Sequence, residues 1–114
     1  MARTTVLLPF RNAFATLDAA IASISRQTYP DWSMLLVDNA STDESPEIAA
    51  HWAGRDPRIT LLRESRIGIA HALNAGLSHA EGEYIARMDA DDISHPERFA
   101  KQVAWLETHP EVGV

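Results

Sequence analysis

The chain has 114 residues, 46% of them hydrophobic and 23% charged, with a formal net charge of -6 and no cysteine. That length suits one domain with one core. The acidic balance argues against a nucleic-acid surface, and the lack of cysteine excludes disulfides, zinc–thiolate centres and thiol nucleophiles.

No apolar run approaches the ~20 residues needed to span a bilayer. The apolar run that follows Met1-Ala2-Arg3-Thr4-Thr5 is broken by Pro9 and is too short for a signal-peptide core. Thr5 to Leu8 is a β-branched and leucine run, the pattern of a buried strand. Residues 13 to 28 carry Phe14, Leu17, Ile21 and Ile24 at helical spacing, which predicts a helix lying on the sheet through that stripe. Gln27 to Asp31 breaks it, because Pro30 forbids helix continuation and biases Tyr29 to extended geometry.

Trp32 to Val37 reads as a second strand, and its nearly continuous apolarity predicts a sheet covered on both faces. Ser45, Pro46 and Glu47 form a helix start: a capping hydroxyl, proline in the first turn, and acid near the positive dipole end. Ile48, Ala49 and Trp52 are the inner face of that helix. Ile59 to Leu62 is a third strand, followed by the polar loop Arg63 to Gly68. Ile69, Leu73 and Leu77 then define a third helix, ended near Gly82. Glu83 to Met88 is a fourth strand, and Pro96-Glu97 opens a fourth helix with Phe99, Val103 and Leu106 on one side and His109-Pro110 closing it. At Glu111 to Val114 another strand is starting, so the chain reads as part of a longer protein.

Strand and helix alternate without hairpin turns. This predicts an α/β fold of three layers, with a mostly parallel, doubly wound sheet. Ligands in such sheets sit beyond the carboxyl ends of the strands. The informative polar groups fall there: Pro9-Phe10-Arg11-Asn12, Asp38-Asn39, Arg63 to Arg66, and Asp89-Ala90-Asp91-Asp92. Crowded carboxylates repel unless a cation sits among them, and oxygen ligands suit magnesium or manganese. Such an ion on Asp89 and Asp91 would leave positions for a diphosphate, with Arg11 and Arg66 able to meet phosphate or sugar and Asn39 able to meet a base edge. Gly-x-Gly-x-x-Gly and Gly-Lys-Ser/Thr loops are missing, and Ser94 and Ala100 stand where an EF-hand needs glycine and glutamate. A phosphotransfer domain would place an aspartate where Pro9-Phe10-Arg11 stands. His51, His79, His95 and His109 show no metal spacing, and Trp52 and Trp105 read as packing residues.

The motifs Pro9-x-x-Asn12, Gln27-Thr28-Tyr29-x-Asp31-Trp32, Val37-Asp38-Asn39-Ala40-Ser41-Thr42-Asp43, Asn74-Ala75-Gly76, Gly82-Glu83-Tyr84-Ile85-Ala86 and Asp89-x-Asp91-Asp92 occur in order. Together they resemble the nucleotide-binding half of the family 2 inverting glycosyltransferases of GT-A fold, over residues 4 to 109. The resemblance implies a nucleotide-diphospho-sugar-binding subdomain over 1–114, a Rossmann-like half of that fold. Pro9, Phe10 and Arg11 would line the base and ribose pocket, and Asp38 and Asn39 would contact the base or hold the loop that does. Arg66 and Ala90 would join the nucleotide-sugar site, Asp89 would meet the ribose or the metal, and Asp91 would hold Mn2+ or Mg2+ on the diphosphate.

The implied reaction is metal-dependent transfer of a sugar from a nucleoside diphosphate sugar to an acceptor hydroxyl, with inversion, in cell-surface polysaccharide biosynthesis. A carbohydrate or lipid-linked acceptor and a cytoplasmic place, peripheral at the inner face of the membrane, go with it. The alternative is a non-catalytic nucleotide- or metal-binding module without the acceptor half. The family's Asp-Asp-Gly-Ser is here Asp38-Asn39-Ala40-Ser41, and Leu73 stands where an arginine often precedes Asn-Ala-Gly, with Arg66 or His71 as its candidate replacements. The general base lies, by this resemblance, beyond Val114, while Asp92 and Glu97 read as caps of the last helix.

Overall fold

A computed structural model describes residues 3–94 and 96–108. Strands and helices alternate: β1 (Thr4–Phe10), α1 (Leu17–Ser25), β2 (Trp32–Asp38), α2 (Ser45–Arg55), β3 (Ile59–Arg63), α3 (Ile69–His79), β4 (Tyr84–Arg87) and α4 (Arg98–Thr108). Each step from strand to strand carries a helix, which returns the chain to the same end of the sheet, so every pairing is parallel. The strand order is β3-β2-β1-β4.

Val6, Leu8 and Phe10 of β1 and Trp32, Met34 and Leu36 of β2 share one core with Leu17, Ile21 and Ile24 of α1, Ala49 of α2 and Phe99 of α4. The other face carries α3, against which Leu7 and Val37 pack: a Cβ on Gly76 would stand 3.0 Å from Leu7 and 3.5 Å from Val37. Helices on both faces are why β1 and β2 read as continuous apolar runs.

Two expectations are corrected, and α3 adds a finding of its own. β1 runs through Pro9 to Phe10, where the sequence pattern ended it at Leu8. Leu7 bonds toward β4 and Phe10 toward β2, so Pro9 faces the β4 side, and that pairing has already stopped at Arg87. No ladder bond is lost to the missing N–H. Next, α1 begins only at Leu17, and Phe14 is 54% exposed in the turn before it. The backbone N–H groups of Ala13 and Phe14 donate to Ser45 Oγ and Asp43 Oδ2, which ties this segment to the next loop instead of letting it coil into the helix.

In α3, finally, the buried residues are Ala72 and Gly76, while Ile69 and Leu77 are exposed. Small residues let the helix axis approach the sheet, and the aliphatic row is left to one side. The closing His109-Pro110 and the strand expected at residues 111–114 lie outside the described residues, as does His95.

Candidate functional site

Phe10, Asp38 and Arg63 lie on one row of the sheet, so β1, β2 and β3 end level. β4 is shorter and pairs only as far as Leu7–Arg87. The connections run from β1 outward to β2 and β3 and then return past β1 to β4, so the strand order switches between β1 and β4. A crevice opens at such a point because the flanking loops turn away from each other.

The β4–α4 turn stands on one side of that switch. Met88 is buried and Ala90 packs against the core, while Asp89, Asp91 and Asp92 are exposed. One oxygen from each of these three carboxylates lies within 4.8 Å of the others. Asp92 Oδ2 accepts from the backbone N–H of Asp89 at 3.3 Å, which folds the turn back on itself. Arg87 Nη2 reaches Asp89 Oδ1 at 3.5 Å. The donor set is all hard oxygen, exposed, and short of compensating positive charge, which fits a magnesium- or manganese-like ion that keeps open positions. Asp92, read from the sequence as a helix cap, belongs to this cluster.

The turn is braced by α1 and the segment that follows it. The backbone N–H of Ser94 donates to Ser23 Oγ at 3.0 Å, that of Thr28 to Pro96 O at 2.7 Å, and that of Phe99 to the buried Gln27 Oε1 at 3.1 Å. Arg98 donates to Ser94 Oγ and to Arg87 O; its burial lowers the guanidinium pKa from the usual arginine value.

On the other side of β1 lies a cavity of about 260 Å³ lined by Pro9, Phe10, Arg11, Asn39, Ile67, Gly68 and Ile69. Four of the residues expected at the site therefore meet in one place. Ile67, Gly68 and Ile69 were not expected at the site: Ile69 read only as the start of the third helix, and an isolated apolar residue such as Ile67 in a polar loop carries no signal of its own. Phe10 is 3% exposed and belongs to the core, so it supports the cavity floor.

Asn39 is 5% exposed, and its side chain is fully engaged. Nδ2 donates to Glu64 O at 3.1 Å and Arg66 O at 2.8 Å, and Oδ1 accepts from Gly68 N at 2.9 Å. Its observed work is thus to hold the β3–α3 loop. Arg66 is held by Glu64 through Nε at 3.1 Å and Nη2 at 2.8 Å, and lines neither cavity at this edge. The Arg66 guanidinium pulls the Glu64 carboxyl down to about 2, aided by the Arg66 backbone N–H.

Asp38 lies one residue away in a neighbouring cavity of about 270 Å³, with Ala40, Arg63, Glu64 and Ser65. Its carboxylate is 1% exposed, accepts from Ser41 N at 3.0 Å, and faces Arg63 Nε at 3.4 Å. Asp89 and Ala90 line neither cavity. A larger hollow of about 320 Å³ lies at the opposite end of the strands, near Thr5, Ser33 and His79. Its one arginine, Arg58, is committed to Asp56 and to the face of Trp32.

The family model described as Glycosyl transferase family 2 matches residues 5–114. The chain belongs to glycosyl transferase family 2. Among curated relatives it is 43% identical over 109 residues to the putative glycosyltransferase EpsE of Bacillus subtilis, covering 94% of this chain and 39% of that protein. It is 38% identical over 97 residues to the amylovoran biosynthesis glycosyltransferase AmsE of Erwinia amylovora, covering 84% of this chain and 36% of that protein.

Among solved structures, the mannosyltransferase PcManGT of Pyrobaculum calidifontis, in complex with GDP-Man and Mn2+, superposes with a TM-score of 0.84 at 36% identity, over 92% of this chain and 32% of that one. Staphylococcus aureus TarS residues 1-349 share the fold with a TM-score of 0.86 at 22% identity, over 94% of this chain and 33% of that one. This family 2 chain thus spans between 32% and 39% of the length of these relatives. The GT-A fold expected from the motifs is present, and no helix among the described residues is long and apolar enough to cross a membrane.

Proposed function

We propose that this chain is the donor-binding part of a metal-dependent glycosyltransferase that moves a sugar from a nucleoside diphosphate sugar to an acceptor hydroxyl with inversion. The observation that carries the reading is the acidic trio Asp89, Asp91 and Asp92 at the β1/β4 switch, on the same strand-end edge as the cavity of Pro9, Arg11 and Asn39. An edge of that kind suits a ligand with a planar base at one end and a diphosphate at the other. PcManGT, at 36% identity, is described with GDP-Man and Mn2+, which supports the same ligand class here.

In this reading the nucleoside enters the cavity against Pro9, Ile67 and Ile69, with Arg11 at its rim. Asp91 and Asp89, joined by Asp92, would hold Mn2+ or Mg2+. Such an ion supplies Lewis-acid stabilisation of the charge that develops on the leaving nucleoside diphosphate. The chain's own residues orient the donor: the Ser23, Gln27 and Arg98 braces fix the acidic turn, and the Asn39 brace fixes the β3–α3 loop. The acceptor we propose is a carbohydrate or a lipid-linked glycan, met on the cytoplasmic side of a membrane by a peripheral protein.

Asp91→Ala is the test. The carboxylate is exposed, so its loss leaves the fold intact. Calorimetry with UDP or GDP, with and without manganese, should show metal-dependent binding in the unaltered chain and none in the variant. Equal nucleotide affinity in all four measurements would sink the assignment.

A further inference from the structure

The β2–α2 loop leaves the sheet through a strained residue. Ala40 has φ +60°, a left-handed conformation that an alanine Cβ disfavours. Strain of this kind persists only where the surroundings over-determine it. Asp38 Oδ1 holds the loop from within by accepting from Ser41 N. The other hold comes from the neighbouring β1–α1 loop. Asn12, itself at φ +53°, directs Oδ1 at Thr42 N at 2.7 Å, Thr42 Oγ1 at 3.3 Å and Asp43 N at 3.2 Å. In return the Asn12 backbone N–H donates to Ser41 Oγ at 3.1 Å.

Asn12 follows Arg11, whose residue lines the cavity, and Ala40 follows Asn39, whose amide holds the cavity's far wall. The two loops are further joined by Phe14 N to Asp43 and Ala13 N to Ser45. Those bonds lie downstream; within reach of the strained turn, the described side-chain bonds from the β1–α1 loop come from Asn12. Asparagine combines tolerance of the left-handed region with a short acceptor.

We propose that Asn12 is a positioning residue for donor binding: it clasps the β1–α1 loop to the strained β2–α2 loop and so holds the cavity between Arg11 and Asn39 in its open, binding-ready shape. The inference rests on the donor-binding reading above. Asn12 acts through the loops and need not touch the ligand. Removing the clasp lets Ala40 relax, so the binding-competent shape becomes a fraction of the population and apparent affinity falls by that fraction.

The experiment measures the affinity of this chain for UDP and for GDP, each with manganese, in Asn12→Ala, Asn12→Gly and Asn12→Asp. The glycine variant keeps the backbone conformation and loses the acceptor, whereas the aspartate variant keeps both. Asn12→Ala and Asn12→Gly should weaken binding by about tenfold, a population shift of the size expected for losing one clasp, while Asn12→Asp stays within about twofold. Unchanged affinity in the glycine variant, or failure of the folded aspartate variant to retain binding, would overturn the proposal. If the alanine variant does not fold, the glycine–aspartate comparison decides. If the unaltered chain binds neither nucleotide, the donor-binding reading fails first, a result distinct from loss confined to the variants.

Discussion

Ala40 is the residue at which local preference and fold disagree most plainly. Its φ of +60° places a Cβ where the backbone crowds it, at a position where the family motif commonly carries glycine. Relief of that strain is worth roughly 1–2 kcal/mol, and the added freedom of glycine in the unfolded chain takes back about 0.5–1 kcal/mol. Strain relief wins, so Ala40→Gly should raise the melting temperature by a few degrees; a lower value in thermal denaturation would contradict the account.

Glu64 gives a second test at this scale. Arg66 holds its carboxyl down to about 2, against an ordinary 4.5. A depressed folded value means that the stabilisation is present above the unfolded value and is lost as pH falls toward 2. Stability measured down through that window should therefore decline, and Glu64→Gln should flatten the decline. An identical acid profile in the variant would show that the pair does not couple to folding.

At the scale of elements, the notable joint is between α1 and α4. Gln27 to Asp31, with Pro30, reads as a helix breaker, and α1 ends just before it at Ser25. The same residues also receive the start of α4, with Gln27 Oε1 accepting from Phe99 N and Thr28 N donating to Pro96 O. Gln27→Ala would leave the buried Phe99 N–H without this acceptor, at a cost of ~1–3 kcal/mol. Chemical denaturation should show that loss, and the destabilised α4 should loosen the acidic turn, weakening manganese-dependent nucleotide binding as well. A variant as stable as the unaltered chain would remove Gln27 as a support of the turn, leaving Ser23 of α1 as the brace.

Gly82 explains another motif in the same terms. A Cβ there would stand 2.7 Å from Thr5 Oγ1 and 2.9 Å from Arg3 O, so the entry to β4 must run bare against β1. This is close approach of backbone, with no positive φ involved.

On the scale of the molecule, the sheet order puts both parts of the proposed donor site on one edge. The switch between β1 and β4 separates the acidic trio from the cavity of Arg11 and Asn39 by the width of β1. A nucleoside diphosphate with manganese should therefore stabilise the whole fold more than either does alone. At a ligand concentration a hundredfold above the dissociation constant the gain is about 2.7 kcal/mol. Equal thermal shifts from UDP or GDP with and without manganese would separate the two features and remove the diphosphate bridge.

By itself, the sequence determined the alternation of strands and helices, the parallel sheet and the four polar loops at its edge. These follow from short-range patterns: apolar runs, helical spacing, and breakers such as Pro30. It also determined the family, because six motifs in register leave little room for another fold. Only the tertiary structure decided which of those polar groups are free. Asn39 and Arg66 look like ligand contacts in a string of letters, yet Asn39 spends its amide on Glu64, Arg66 and Gly68, and Arg66 is paired with Glu64. Asp92 looks like a helix cap and stands with Asp89 and Asp91 instead. Ile67 and Ile69 reveal themselves as cavity walls only once β3 is placed beside β2. The reason is physical: a polar side chain is available only when its hydrogen bonds are not already taken, and its partners here lie on loops dozens of residues away in the chain.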